Sequence, residues 1–181
     1  MCSSDLHFLI ARKLAAAGEK AQAKQALLDG LVFPQNYGEE KNYFVNEAHL
    51  YLTMYELEQD AKYLELATAT KGAPTVHSYY QCKALREMGR TEETADLAAK
   101  LKTIGESKIK NASVNDYYGV GAPAYPPFGY DVAAAHTTDG MILCAFAALA
   151  EGDLETARKY AEEIAKRDQC HFFLYLLRTI L

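Results

Sequence analysis

The chain has 181 residues, 50% of them hydrophobic and 24% charged, with a formal net charge of -5. That length suits one domain or a short array of repeats, and the balance lacks the basic excess that phosphate backbones demand, so nucleic acid is not an expected partner. The most apolar stretch, MILCAFAALA, stops at Glu151-Gly152-Asp153, short of the roughly 18 residues a bilayer crossing needs, so no membrane partner is expected either.

The first six residues, MCSSDL, coincide with the translation of GTG-TGC-TCT-TCC-GAT-CTN, the end of a common sequencing-library adapter, with GTG read as Met. Met1 to Leu6 is therefore expected to be an adapter remnant, and residues 7–181 one helical domain that forms the C-terminal part of a longer protein. The alternative is a helix start capped by Ser3, Ser4 or Asp5.

Helical periodicity begins at once. Leu6, Leu9, Ile10 and Leu14 fall on one stripe, Gly18 interrupts, and Ala23, Ala26, Leu27 and Leu31 build a second helix that ends near Gly30 and Pro34. A third helix is predicted from about Tyr43 to Leu57, with Phe44, Ala48, Tyr51 and Tyr55 buried and Asn42, Asn46, His49 and Thr53 on the polar face opposite. Asp60 opens a fourth, which stops at Lys71-Gly72 before Pro74. Val76 to Met88 and Thr91 to Ile104 flank Gly89, Val132 to Ala150 and Leu154 to Lys166 flank Gly152, and a short last helix covers His171 to Leu181.

Aligning LAAAGEKAQA, LREMGRTEET and LAEGDLETA on Gly18, Gly89 and Gly152 exposes a repeat. Seven residues before each glycine stands Ala11, Cys82 or Ala145, and five after it Ala23, Thr94 or Ala157. Small residues at those positions let two antiparallel helices cross closely. In this the chain resembles the tetratricopeptide-repeat family, although its second hairpin replaces the turn glycine with Glu58-Gln59-Asp60. The order of FPQNYGEEK, YYQCKALREMGRTEET, NDYYGV and DLETARKYAEEIAKRDQCHFFLYLL is further similar to the C-terminal repeat region of large bacterial proteins whose N-terminal part is a mutarotase-like β-sandwich domain of unknown function. Where that family typically has Asp-Tyr-Phe, this chain has Asp116-Tyr117-Tyr118 followed by the insertion GAPAYPPFGY. The resemblance implies a sugar-related protein with a helical C-terminal array.

An aromatic, proline-rich ordered loop is expected over residues 105–131. Pro123, Pro126 and Pro127 forbid a helix there, and Tyr117, Tyr118, Tyr125, Phe128 and Tyr130 carry rings that must pack somewhere. They either plug the array between hairpins or, with Asp131, face a groove that binds a partner protein or a glycan. Asp116 and Asp131 could pair as acids with His136 nearby, but Asp131 immediately before VAAAH is well placed as a helix cap. His49 and Asn46 are the candidates for a groove-lining contact on the third helix.

No metal or cofactor is expected: His7, His49, His77, His136 and His171 never stand four residues from a second ligand, and no phosphate loop, nucleophile elbow or dinucleotide fingerprint occurs. Cys2, Cys82, Cys144 and Cys170 are spaced for neither zinc nor a redox pair, which suits free thiols in a reducing, cytoplasmic compartment. The expected fold is all-α, a right-handed superhelix of about four hairpins. The expected function is a non-catalytic scaffold that binds a partner protein or its own upstream domain; the alternative is the accessory region of a carbohydrate-processing enzyme whose active site lies upstream.

Overall fold

The computed structural model describes residues 3–32, 46–70, 73–112 and 131–181. Among them run nine helices and no strand: α1 Ser3–Ala16, α2 Lys20–Leu31, α3 Ala48–Glu58, α4 Lys62–Thr68, α5 Ser78–Glu87, α6 Thr91–Lys110, α7 Val132–Glu151, α8 Leu154–Arg167 and α9 Phe172–Ile180. The chain forms two compact units, Met1–Leu97 and Ala98–Leu181. Neighbouring helices pack antiparallel, as in α1 with α2, α3 with α4 and α7 with α8.

Three of the turns close identically. Gly18, Gly89 and Gly152 all have φ between +74 and +84, a left-handed conformation that costs other residues about 1 kcal/mol or more. Each glycine N–H donates to the carbonyl three residues back (Ala15, Arg86, Leu149), and the following N–H donates to the carbonyl five back (Leu14, Leu85, Ala148). Those bonds satisfy the last carbonyls of α1, α5 and α7 and aim the chain into the next helix. A methyl group built on any of the three glycines would meet nothing within 4 Å, so backbone geometry alone requires glycine there.

The second hairpin reaches the same end by other means. Gln59 takes the left-handed conformation at φ 57, its N–H donates to the Tyr55 carbonyl at 2.8 Å, and its side-chain amide donates to the Tyr55 and Glu56 carbonyls at 3.2 and 3.3 Å. A long polar side chain thus caps the helix end that the other hairpins leave to glycine.

The predicted crossing positions are all buried: Ala11 and Ala23, Cys82 and Thr94, Ala145 and Ala157. The Cys82 Sγ sits 3.7 Å from the Thr94 carbonyl oxygen, so α5 and α6 touch at that pair. Cys82 and Cys144 are buried free thiols, as expected, while Cys170 is exposed.

Three predicted features differ. On α1 the buried residues are Ser4, Asp5, Phe8 and Ala11, whereas Leu6 and Ile10 are exposed; the largest apolar stripe is not the face that packs. The third helix begins at Ala48 rather than Tyr43. Most informative is α6, which runs through Gly105 to Lys110 instead of ending at Ile104, so the loop expected over 105–131 loses its first residues to helix. Gly105 is a contact rather than a stop. A methyl on it would lie 2.7 Å from Cys144 Sγ and 2.8 Å from the Gly140 carbonyl, and one on Gly140 would lie 2.7 Å from the Gly105 carbonyl. In the second unit, α6 and α7 therefore meet backbone to backbone.

The apolar stretch MILCAFAALA, too short for a crossing by itself, is extended by residues 132–140 into the 20-residue α7, which by length and composition is the one described helix apolar enough to cross a membrane, although most of it is buried inside the protein. Ile142, Phe146, Ile164, Leu174, Leu176 and Leu177 make up much of the core around it. Phe8, Leu27, Leu50, Leu52 and Met54 fill the first unit, and burying each contributes about 1.5–3 kcal/mol.

These contacts fix the sign of two substitutions. Gly105→Ala gains up to about 1 kcal/mol of helix propensity but inserts a methyl into a closed contact, so a net loss of about 1–3 kcal/mol is expected by urea unfolding. Gly89→Ala should lose about 1 kcal/mol and Gly89→Asn less, because asparagine tolerates the left-handed region.

Candidate functional site

Three polar side chains from three helices meet inside the first unit: Asp5 from the first turn of α1, His49 from the first turn of α3, and His77, the residue that precedes α5. The beginnings of α3 and α5 are tied together. Asn46 Oδ1 accepts from the Ala48 N–H at 3.0 Å, and Asn46 Nδ2 donates to Ser78 Oγ at 3.3 Å. Ser78 Oγ in turn accepts from the Thr75 N–H at 3.1 Å. This network sets His49 beside His77.

The two imidazoles stack with centroids 3.9 Å apart and planes 16° from parallel. Asp5 Oδ1 lies 3.1 Å from His77 Nε2 and 3.9 Å from His49 Nε2. Phe8 packs edge-on against His49 at 5.1 Å and against Tyr80 at 5.4 Å, with the Arg12 guanidinium over the Phe8 ring at 5.6 Å. The side chains of His49 and Asp5 are 1% and 5% exposed and that of His77 is 13% exposed, so His77 forms the side of the cluster nearest water.

Burial, reinforced by neighbouring His77, holds the His49 pKa well below the usual imidazole range, while Asp5 pulls the other way. The Asn46 carbonyl lies near enough to favour a proton on the ring, yet neither His49 nitrogen makes a well-aligned hydrogen bond among the described residues. The buried Tyr80 hydroxyl has none either, and burial raises its pKa far above that of a free phenol. One donor atom from each of Asp5, His49 and His77 can be chosen so that all three lie within 4.8 Å of one another. Two imidazoles and a carboxylate in that arrangement can hold a metal ion.

The residues singled out in the sequence fare unevenly. Tyr117, Tyr118, Tyr125, Phe128 and Tyr130, with Asp116, lie outside the described residues. Asp131 caps α7, its carboxylate accepting from the Ala134 N–H at 2.9 Å. His49 and Asn46, expected on an exposed polar face with Thr53, are all buried, whereas Tyr51 and Tyr55 are only half-buried. Ala48 is buried as expected, and Asn42 and Phe44 lie outside the described residues; the polar groups turn inward because they find partners there, Asn46 bonding Ser78 and the Thr53 hydroxyl donating to the His49 carbonyl at 2.8 Å. Tyrosine can bury its ring edge and leave its hydroxyl wet.

His171 caps α9, Nδ1 accepting from the Phe173 N–H at 3.3 Å, and its Nε2 lies 3.4 Å from Asp139 Oδ1 on α7. That imidazole holds the Asp139 carboxyl below its ordinary value. Sequence reasoning missed the cluster because it sought ligands at helical spacing, whereas these three come from separate helices. Asp5 also lies in the hexapeptide read as an adapter remnant, and the structure packs it into the cluster.

A depressed imidazole pKa gives stability a definite pH dependence. The unfolded chain takes up a proton near pH 6.5 that folded His49 resists, so stability is full above that pH and is lost as pH falls toward the folded value. With EDTA present, urea unfolding should show a loss approaching about 1.4 kcal/mol per pH unit below pH 6.5. Asp5 and His77 face His49 directly, and the His49→Gln chain should show a flatter profile.

No protein-family model, curated protein or solved structure matches this chain.

Proposed function

We propose that the chain is a non-catalytic scaffold, a right-handed superhelix of tetratricopeptide-like hairpins whose concave face binds a partner protein or a neighbouring domain of the same polypeptide. One observation carries this reading: α1–α2, α5–α6 and α7–α8 share the same left-handed glycine, the same pair of closing hydrogen bonds and buried small residues at the same distances on either side. Hairpins repeated in this way stack by burying each neighbour's apolar flank, and the stack curves into an extended binding surface.

X-ray scattering of the purified chain is the direct test. A superhelix should give a radius of gyration clearly above the roughly 16 Å of a compact globule of this length, with an asymmetric distance distribution; a symmetric profile at the compact value rejects the array. Calorimetric titration with an oligosaccharide panel should show no saturable binding, and replacing Tyr117, Tyr125 and Tyr130 by Ala should lower only stability. Glycan binding that disappears in that variant favours the accessory region of a carbohydrate-processing enzyme instead.

A further inference from the structure

We propose that Asp5, His49 and His77 bind one divalent first-row transition ion, with zinc the simplest occupant, through a carboxylate oxygen of Asp5 and the Nε2 atoms of both histidines. A tetrahedral zinc site with bonds of about 2.0–2.1 Å separates its donor atoms by about 3.4 Å. Asp5 Oδ1 and His77 Nε2 are already 3.1 Å apart, and His49 Nε2 stands 3.9 Å from the same oxygen. Closing the Asp5–His49 gap takes about half an ångström, and bringing both in-plane imidazole lone pairs onto one ion requires the rings, now 16° from parallel, to rotate out of their stack.

The orientation of His49 separates this reading from a purely structural ion pair. A proton shared between Asp5 and His77 accounts for the 3.1 Å contact but leaves His49 unexplained. Its two nitrogens are buried without a well-aligned hydrogen bond among the described residues, an arrangement that is unfavourable for a polar group removed from water. The Asn46 carbonyl lies near enough to favour a proton on one ring nitrogen, and Nε2 stands 3.9 Å from the Asp5 carboxylate, where a bound cation would give both groups a shared partner. Metal-bound imidazoles commonly direct their other N–H at a backbone carbonyl, which fixes the tautomer.

The donor set also selects the ion. Magnesium and calcium take oxygen ligands and retain water, whereas mixed imidazole and carboxylate donors suit zinc, cobalt, iron or nickel. Three protein ligands leave a further coordination position, and partial exposure of His77 places water within reach of it.

The test uses the full chain, stripped with EDTA under reducing conditions. Calorimetry should find one Zn²⁺ per chain, Co²⁺ should develop visible ligand-field absorption, and the melting temperature should rise with Zn²⁺ but not with Mg²⁺. His77→Asn, which removes the imidazole and places a residue favoured at helix starts before α5, and the isosteric Asp5→Asn should each weaken Zn²⁺ binding at least tenfold while circular dichroism shows the helices intact. The Asp5→Asn arm separates the carboxylate, within the hexapeptide, from the two imidazoles of the remaining chain. His171→Gln, altering the histidine in the second unit, should leave the affinity unchanged. Absence of saturable Zn²⁺ binding, or binding of parental strength in both His77→Asn and Asp5→Asn, overturns the assignment.

Discussion

Where Gly105 and Gly140 face each other, even one methyl group would lie under 3 Å from a backbone carbonyl, so α6 and α7 meet there with no room for a side chain between their backbones. Cys82 and Thr94 touch across α5 and α6, and Ala11, Ala23, Ala145 and Ala157, at the corresponding positions of the other hairpins, are all buried. Helix packing here is limited by backbone contact at a few sparsely furnished positions, and larger side chains fill the space on either side. Within each unit, that spacing decides which residues are core.

Close crossings need the chain to reverse direction at a fixed angle, which the turn chemistry supplies. Gly18, Gly89 and Gly152 close their helices with the same two hydrogen bonds, and Gln59 replaces glycine by capping two carbonyls with its own amide. The helices that follow are anchored at their starts: Asp153 accepts from the Thr156 N–H at the head of α8 and Asp131 from the Ala134 N–H at the head of α7. Such caps are each worth about 1 kcal/mol, enough to fix helix starts that apolar contacts alone leave loosely specified.

Polar residues inside the first unit are the exception to its apolar core. Asn46, Thr53 and Ser78 satisfy one another or nearby backbone, so their burial costs little. Asp5, His49 and His77 form a cluster of another kind, one in which Phe8 packs edge-on against an imidazole that lacks a well-aligned hydrogen-bond partner among the described residues. A group kept dry and under-bonded in this way resists protonation, because burial and neighbouring His77 disfavour the imidazolium. The proposed scaffold and the proposed cation site are compatible, since the cluster lies at the starts of helices that the hairpin contacts hold in place.

Local chemistry made much of the architecture legible in the sequence. Gly18, Gly89 and Gly152 end helices because a positive φ is cheap only for glycine, and the small residues flanking them at constant distance are buried because neighbouring backbones would otherwise collide. Asp131 before VAAAH is a cap for reasons confined to one turn of helix. What only the tertiary structure decided was which face of each helix turns inward. His49 and Asn46 are buried while Tyr51 and Tyr55 are half-exposed, and Phe8 is buried while Leu6 and Ile10 are not; these outcomes depend on partners far along the chain. Gly105 looked like a helix terminus until Gly140 stood opposite it. The meeting of Asp5, His49 and His77 is of the same nature: spacing within one helix contains no information about three helices whose starts converge, because the distance between them is set by packing.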